Sequence, residues 1–429
     1  MRKLAAIFVY SLMFAASLAP AHAQMLNFML DVFSTAGRFN RIEPGGAVSR
    51  SIPAFEDFLK GIRREAAEAG ISAATIERAF NGLTPDMWVL EKANHQPEFV
   101  RPIWEYLDSA VSERRIVLGR EALAQHAYVL DAIEATYNID RHVVVAIWGM
   151  ESTYGHLLTN PKLVRPVIRS LASLAYLDTR RSKYARSQLL VALSIMDREK
   201  MAPEQMIGSW AGAMGHTQFI PATYMSHAVD FDGDGRRDIW NNVADALGST
   251  ANYLTHSGWR PGETWGYEVG LPARFDFGLV GQSMSISDWR ARGVQRTGGQ
   301  QFPRPGDEAR LYLPAGANGP AFLLLQNFAV IKRYNNSDAY ALAVGHLTDR
   351  LRGGAAFAAN WPVNERILGK GEREELQRLL TRLGFDTGGV DGRIGPRTEG
   401  ALRAWQASVG LIPDGFATGN LLDRLRRDS

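Results

Sequence analysis

One glutamate of this chain, Glu151, lies where a side chain can act as a general acid. It stands in the run AIWGMESTYG at 146–155, within a predicted helix that Asp140 caps and Gly155 ends. The helical repeat puts four side chains on one face: Val144, Ile147, Trp148 and Glu151. Apolar neighbours and the negative end of a helix dipole both raise the pKa of a carboxyl group. A carboxyl that is still protonated near neutral pH can donate its proton to a leaving oxygen.

A second motif, at 208–224, reads GSWAGAMGHTQFIPATY and combines small residues with hydrogen-bonding ones. Its glycines would let a backbone approach a bulky ligand, and Ser209 and Gln218 offer hydrogen bonds to hydroxyl or amide groups. Taken alone, a glutamate at a helix end is usually solvated, and a glycine-rich loop is usually a tight connection. Together the two motifs favour a site that acts on sugars.

A third motif fits the opening of a calcium-binding loop. Aspartates stand at positions one, three and five, as Asp230, Asp232 and Asp234, and a glycine follows at position six. Arg236 would offer its backbone carbonyl, whereas Asn241 replaces the bidentate glutamate of position twelve. An Asp/Gly turn without metal is an equally good interpretation. A bound ion would brace the loop and take no part in the chemistry.

The elements that must position these motifs are mostly helical. Apolar residues recur at helical spacing in four segments: 55–65, 122–137, 181–198 and 243–257. Strand-like sequence is confined to 310–314 and 321–325, where a small sheet is expected. The predicted fold class is therefore mainly α with a small β element.

The C-terminal region has its own pattern of helices and turns. A helical segment at 372–383 and a glycine-rich turn precede a helix with Pro396 in its first turn, and a last helix covers 418–425. The region carries its own apolar set: Leu376, Leu379, Leu380, Val390, Ile394, Leu402, Trp405, Leu411 and Leu422. That set favours a separate domain over a helical tail that covers another surface.

This region resembles the three-helix peptidoglycan-binding module, through LTRLGF at 380–385, GPRT at 395–398 and WQ at 405–406. The ESTYG motif and the loop at 208–224 resemble the B-type lytic transglycosylases, lysozyme-like enzymes that cleave bacterial peptidoglycan. The resemblance covers about 55–360. It implies a lysozyme-like multi-helical catalytic body, followed by a C-terminal three-helix peptidoglycan-binding domain.

The resemblance also assigns roles to matching residues. Glu151 corresponds to the family's single catalytic acid. The implied substrate-binding residues are Ser209, Gln218, Tyr253, Tyr334, Asn335, Tyr340, Arg180 and Arg181, of which the two arginines would meet the peptide stems. Core packing is the alternative role for each tyrosine. In the acidic loop, the family takes its last carboxylate from farther along the chain, which adds Asp245 to the metal set.

The implied reaction is cleavage of the MurNAc-GlcNAc β-1,4 bond with formation of 1,6-anhydromuramyl ends. Ordinary glycosidases use two carboxylates, whereas one motif carboxylate stands out here, and Asp178 remains a candidate for a second. The resemblance implies no cofactor for the chemistry and allows a structural calcium ion. A hydrolytic muramidase and a non-catalytic cell-wall-binding protein are the alternatives. A zinc amidase is disfavoured, because the nine histidines include no HExxH motif.

The chain start has the charged, apolar and small-residue parts of a secretory signal, which predicts cleavage after Ala23. The predicted organisation is a signal peptide at 1–23, a flexible arm at 24–50, a catalytic domain at 51–360, a linker at 361–370 and a peptidoglycan-binding domain at 371–429. The expected product is a soluble periplasmic protein without a membrane anchor. The chain has no cysteine, which excludes disulfides and cysteine-linked lipids.

Charge restricts the classes of partner. The net charge is +3 and falls to +1 once Arg2 and Lys3 leave with the signal, so nucleic acid is not an expected partner. Peptidoglycan glycan strands, of mixed charge, are compatible with this balance. Protein partners in cell-wall synthesis or remodelling are not indicated by the sequence.

Overall fold

A computed structural model describes residues 52–94 and 102–428 of the chain. The predicted signal peptide at 1–23 and arm at 24–50 lie outside the described residues. Within the described ranges, the structure contains no helix with both the length and the hydropathy of a membrane span.

Helices form most of the described structure. In chain order they are α1 (Ile52–Glu68), α2 (Ala73–Phe80), α3 (Met87–Asn94), α4 (Ile103–Ala110), α5 (Glu113–Gln125), α6 (Ala127–Tyr137), α7 (Arg141–Ser152), α8 (Val167–Leu177), α9 (Ser182–Glu199), α10 (Pro221–His227), α11 (Val243–His256), α12 (Ile286–Ala291), α13 (Gln326–Tyr334), α14 (Asp338–Leu351), α15 (Lys370–Arg382), α16 (Pro396–Ser408) and α17 (Gly419–Asp428). The strands are β1 (Arg165–Pro166), β2 (Ile207–Gly208), β3 (Gly266–Gly270), β4 (Ser283–Ser285), β5 (Gln295–Arg296), β6 (Glu308–Tyr312) and β7 (Ala321–Leu324). The mainly α prediction is confirmed.

The described chain divides into two units. The first comprises residues 52–94 and 160–226, and the second comprises 102–159 and 227–428. In the first unit α1 follows its predicted periodicity, because Phe55, Leu59 and Ile62 are all fully buried. There α8 and α9 pack against each other, and β1 pairs with β2 in an antiparallel ladder.

In the second unit, α7 packs against α5, α11 and α14. The expected single helix at 122–137 is wrong, because α5 ends at Gln125 and α6 begins at Ala127. The backbone of His126 leaves the helical region, with φ −107° and ψ 22°, and its ring meets Trp148 edge-on at 5.4 Å. The interruption between α5 and α6 therefore lies at the residue whose ring contacts Trp148.

A five-stranded antiparallel sheet, in the order β4-β6-β7-β3-β5, confirms the expected β element. All four residues of the central strand β7 are buried, which explains its unbroken apolar sequence. Trp289 of α12 is fully buried against the sheet and donates from its indole nitrogen to the Ala309 carbonyl at 2.8 Å.

The three C-terminal helices, α15 to α17, enclose a core of their own, and Pro396 is in the first turn of α16 as predicted. Val390 was predicted in that core, but the structure leaves it 47% exposed. It lies in the turn before α16, and the buried amide of Gln377 holds this turn by accepting from Asp391 N and Gly392 N at 2.8 Å. A polar side chain therefore supports the turn. The predicted domain limits stay a prediction.

Candidate active site

Glu151 is the penultimate residue of α7, a helix whose start was predicted correctly. The Asp140 side chain accepts from His142 N at 2.7 Å and caps the helix. The predicted stop at Gly155 is wrong by a few residues. Thr153 takes the left-handed conformation (φ 51°), and its N–H reaches the carbonyls of Gly149 and Trp148, which closes the helix after Ser152.

The Glu151 carboxyl is partly buried and receives a hydrogen bond from a distant tyrosine. The Tyr340 hydroxyl, in the first turn of α14, donates to Glu151 Oε1 at 2.5 Å. Burial raises the pKa of Glu151 to about 7, although the hydrogen bond from Tyr340 acts in the opposite direction. The expected raised pKa therefore has a physical cause in the structure, and a carboxyl with this pKa exchanges a proton easily near neutrality.

Two further tyrosines lie beside this pair. Tyr334 ends α13, and Tyr253 of α11 meets its ring edge-on at 5.0 Å, while the Tyr253 hydroxyl donates to the Arg333 carbonyl at 2.6 Å. Burial, and then the charge of Glu151, raise the pKa values of Tyr334 and Tyr340 well above the usual 10. The tyrosines near Glu151 therefore remain neutral.

Asn335 follows Tyr334 directly and is exposed. The structure thus groups Glu151, Tyr253, Tyr334 and Tyr340, with Asn335 beside them in sequence. Sequence reasoning missed Thr250, one turn before Tyr253 on α11, whose hydrogen bond with Tyr334 moderates the pKa of that tyrosine.

In the first unit, the predicted sugar-binding loop uses its polar groups to hold itself. Ser209 Oγ accepts from Ala213 N at 3.1 Å, and Gln218, with φ 51°, donates from Nε2 to the Gly215 carbonyl at 2.8 Å. A Cβ on Gly208 would lie 2.0 Å from the Ala213 oxygen. The expectation that this glycine admits a ligand is therefore corrected, since the closely approaching backbone belongs to the loop itself.

The predicted arginine pair has two different environments. Arg181 is 6% exposed, and its Nη1 lies 2.5 Å from Asp178 Oδ2. Its contact with substrate stays a prediction. Arg180 is more exposed and reaches Asn94 Oδ1 at 3.2 Å. Burial acts to raise the pKa of Asp178, but hydrogen bonding and charge from Arg181 outweigh burial and lower it. Asp178 is therefore an ionised partner of Arg181.

The acidic loop brings three carboxylates together ahead of α11. Oxygens of Asp230, Asp232 and Asp245 lie within 4.8 Å of one another. Asp230 and Asp232 belong to the loop, whereas Asp245 lies in the first turn of α11. Asp245 is fully buried and accepts from Phe231 N and Asp238 N at 2.7 Å each. Burial, followed by the charges of Asp232 and Asp230, raises its pKa to about 6.

The sequence also predicts Asp234 as a metal ligand, but it lies outside this group of three, and its Oδ1 accepts from Arg236 N at 2.8 Å. The role of the Arg236 carbonyl stays a prediction. A divalent cation fits the other three, since their converging carboxylate oxygens are the ligands that calcium takes, and burial together with the charges of Asp232 and Asp230 raises the pKa of Asp245.

The described fold combines a mainly helical body, which carries a partly buried carboxyl at the end of α7, with a three-helix C-terminal module. Residues 54–349 match the family described as transglycosylase SLT domain, and residues 370–425 match the putative peptidoglycan binding domain. The chain belongs to the transglycosylase SLT-domain family. The family resemblance drawn from the ESTYG motif, the 208–224 loop and the C-terminal pattern is thereby confirmed.

Three relatives add detail. The membrane-bound lytic murein transglycosylase B of Escherichia coli (strain K12) is 33% identical over 228 residues, which are 52% of this chain and 60% of that protein. This chain thus matches less than two thirds of that relative's length. SltB3 of Pseudomonas aeruginosa, solved with NAG-anhNAM-pentapeptide, is 50% identical with a TM-score of 0.82, covering 87% of this chain and 99% of SltB3. The Escherichia coli lytic transglycosylase Slt35 in complex with calcium is 26% identical with a TM-score of 0.58, covering 73% and 98% of the respective chains.

Proposed function

We propose that the chain is a lytic transglycosylase that cleaves the MurNAc-GlcNAc β-1,4 bond of peptidoglycan and leaves 1,6-anhydromuramyl ends. The observation that carries the proposal is the Glu151 carboxyl, which Tyr340 contacts at 2.5 Å and whose pKa burial raises to about 7. SltB3, at 50% identity, was solved with a ligand that contains an anhydro sugar, which supports the same product for this chain.

In the first step, protonated Glu151 donates its proton to the glycosidic oxygen as the bond to the muramyl C1 breaks. A carboxyl with a pKa of about 7 is half protonated at neutral pH, so it serves equally well as acid and as base. The Tyr340 hydroxyl, which stays neutral, stabilises the carboxylate that proton transfer leaves behind.

The second step uses a group of the substrate in place of a second protein carboxylate. In a retaining glycosidase the two carboxyl groups lie about 5–5.5 Å apart. Burial and Tyr340 account for the pKa shift of Glu151, and no other carboxylate of the described residues contributes to it. The carbonyl oxygen of the muramyl N-acetyl group therefore bonds to C1 as the leaving sugar departs, and the muramyl 6-hydroxyl then bonds to C1 as that carbonyl oxygen is released. Ionised Glu151 takes the proton of that hydroxyl, and no water is consumed.

The proposed substrate-binding groups of the second unit are Tyr253, Tyr334, Tyr340 and Asn335. Those of the first unit are Ser209, Gln218, Arg180 and Arg181. Gln218 is the strongest of the first-unit group, because its Nε2 is used within the loop while its Oε1 accepts no hydrogen bond from the described residues. We further propose export to the periplasm, on the evidence of the signal pattern at 1–23, and attachment to glycan strands through the C-terminal module.

The acidic loop is proposed to hold a structural calcium ion through Asp230, Asp232 and Asp245. The three converging carboxylates and the calcium complex of Slt35 support this assignment. The ion would neutralise the buried Asp245 and tie the loop to the first turn of α11. The chemistry itself requires no cofactor.

Glu151→Gln tests the catalytic assignment, because the amide keeps the shape of the side chain and has no proton to transfer. We expect the purified variant to release muropeptides from sacculi at least about 100-fold more slowly, with unchanged binding to sacculi. Glu121→Gln, an exposed glutamate of α5, is the matched control and should keep full activity. Near-normal release by Glu151→Gln would refute the role of Glu151.

Mass spectrometry of the wild-type products separates the proposed reaction from its alternatives. A lytic transglycosylase gives anhydro ends that are one water lighter than reducing ends. Reducing ends as the main product would identify a hydrolytic muramidase, and binding to sacculi without any release would identify a non-catalytic wall-binding protein.

A further inference from the structure

The chain directly after Glu151 has an unfavourable backbone conformation. Thr153, Tyr154 and Gly155 are all left-handed, with φ values of 51°, 56° and 87°. This region suits the glycine, whereas a β-branched or aromatic residue enters it only at an energetic cost. Contacts from elsewhere in the fold must therefore hold the two residues that follow the catalytic helix.

The main contact is the ring of Tyr154, which lies between two helical glycines. A Cβ on Gly149 of α7 would be 2.5 Å from the ring, and a Cβ on Gly119 of α5 would be 2.4 Å from the hydroxyl oxygen. Trp148 meets the same ring edge-on at 5.6 Å. The two glycines thus form a slot that any larger residue would fill.

Hydrogen bonds also connect α5, α7 and the segment that follows α7. The Tyr154 hydroxyl donates to the Arg115 carbonyl at 2.9 Å, and Arg115 Nε donates in return to the Gly149 carbonyl at 3.2 Å. The Gly149 carbonyl belongs to the last turn of α7, which also carries Glu151. The ring and the guanidinium therefore connect α5 to the turn from which the catalytic carboxyl projects.

We propose that Tyr154 is a positioning residue, which holds the last turn of α7 through the Gly119–Gly149 slot so that Glu151 keeps its contact with Tyr340. This inference rests on the proposed function. Tyr154 is 9% exposed and its hydroxyl is bonded to the protein backbone, so its role is to orient the acid and not to bind sugar. A displacement of about 1 Å at a reacting group can cost about 100-fold in rate.

Tyr154→Leu removes the ring and the hydroxyl, and Tyr154→Phe removes the hydroxyl alone. We expect kcat on soluble glycan fragments to fall about 100-fold in Tyr154→Leu and about 3- to 10-fold in Tyr154→Phe, with KM within twofold of wild type. Tyr128→Phe is the matched control, because Tyr128 is 87% exposed, and its kcat should not change.

The pH profile separates positioning from simple stabilisation. Burial is the largest influence on the pKa of Glu151, so a carboxyl that swings toward solvent loses part of the shift. The alkaline limb of kcat should therefore move to lower pH in Tyr154→Leu, while Tyr340→Phe should move it to higher pH. A folded Tyr154→Leu with kcat within threefold of wild type and an unmoved limb would overturn the inference.

Gly149→Ala tests the slot from its other side. The added methyl overlaps the Tyr154 ring, so this variant should lose at least about tenfold in kcat, whereas adding Gly149→Ala to Tyr154→Ala should cost nothing beyond the loss of Tyr154→Ala itself, because the ring that the methyl would displace is gone. Additive losses in the double variant would contradict the slot. If Tyr154→Leu does not fold, Tyr154→Phe decides: a reduced kcat at an unchanged melting temperature supports positioning, and a wild-type kcat overturns it.

Glu151→Gln distinguishes the two proposals. If that variant stays active, the proposed function fails whatever the Tyr154 variants do. If Glu151→Gln is inactive while Tyr154→Phe and a folded Tyr154→Leu behave as wild type, the positioning inference alone fails.

Discussion

At the scale of the residue, the site depends on opposing influences on one carboxyl group. Burial raises the pKa of Glu151, and the hydrogen bond from Tyr340 lowers it, with a result of about 7. Without burial, the pKa of Glu151 would not be raised, and the carboxyl would already be ionised at neutral pH and could not act as an acid. Tyr340 also favours the ionised form that the second step needs.

The first prediction concerns the pH dependence of the rate. The acid form of Glu151 is present below its pKa, so kcat/KM should fall above about pH 7, by about tenfold per pH unit. Because the Tyr340 hydrogen bond lowers the pKa, Tyr340→Phe should shift this limb to higher pH and reduce the rate. Rates on soluble glycan fragments between pH 5 and 9 would measure both effects, and a limb that ignores Tyr340→Phe would contradict the assignment.

The second prediction concerns stability. The pKa of Glu151 in the folded state exceeds its ordinary 4.5, so the folded state binds this proton more tightly than the unfolded chain does. Stability from this group is therefore complete below about pH 4.5 and is lost as pH rises to 7. Glu151→Gln avoids that loss and should be more stable than wild type at pH 8, by up to about 3 kcal/mol. Urea unfolding at pH 8 and pH 5 should show the advantage shrinking at the lower pH.

At the scale of the element, the acidic loop is tied to α11 through Asp245. The backbone N–H groups of Phe231 and Asp238 converge on this buried carboxylate, and Phe231 packs against Gly248 one turn further along α11. Tyr253 lies on the same helix. The helix α11 therefore carries both Asp245, which holds the acidic loop, and Tyr253, which lies beside Glu151. The loop itself does not supply a reacting group.

The third prediction is that calcium raises the melting temperature of chelator-treated protein, through binding to the folded state. Binding is expected to be weak, in the range of about 10⁻⁴ to 10⁻³ M, because Asn241 replaces the bidentate glutamate. Calcium must compete with a proton on Asp245, so the response should decline below about pH 6. Asp232→Asn should abolish the response, whereas Asp234→Asn, on the same loop, should keep it. A melting temperature that ignores millimolar calcium at pH 7.5 would contradict the metal site.

At the scale of the whole molecule, the C-terminal module has a separate core but touches the second unit's sheet region. Ala317 N, in the β6–β7 loop, donates to Asp414 Oδ2 at 2.9 Å, and Phe416 lies close to Gly316. Glu399 of α16 has a pKa raised by burial, with Arg310 and Asp338 among the nearby charges. Asp414 and Phe416 of the module therefore contact the loop between β6 and β7.

The fourth prediction is that deleting residues 371–429 leaves cleavage of soluble fragments within about threefold of wild type. Binding to insoluble sacculi should weaken by at least about tenfold, since a second binding site raises the local enzyme concentration on the polymer. Co-sedimentation of full-length and truncated protein with sacculi measures this difference. Equal sedimentation of the two would show that the body alone binds the wall.

Features that depend on near neighbours in the chain follow from the sequence alone. Asp140 and the apolar stripe after it specify the start and the buried face of α7, and the same kind of spacing specifies α1, α9 and α11. Turn residues and helix starts specify the three-helix module. These signals are local because caps, turns and helical faces arise within a few residues.

Which distant groups meet depends on the folded arrangement of the helices. Tyr340 reaches Glu151 across 189 positions, and the ring of Tyr154 requires a glycine on α5 as well as one on α7. Of the two slot glycines, Gly149 stands inside a helix predicted from the sequence, whereas Gly119 precedes the predicted helix at 122–137. Burial and partner choice depend on how helices pack, and packing is a property of the whole unit. The pKa of Glu151 could therefore be expected to rise from its neighbours, but the partner that limits the rise could not be predicted.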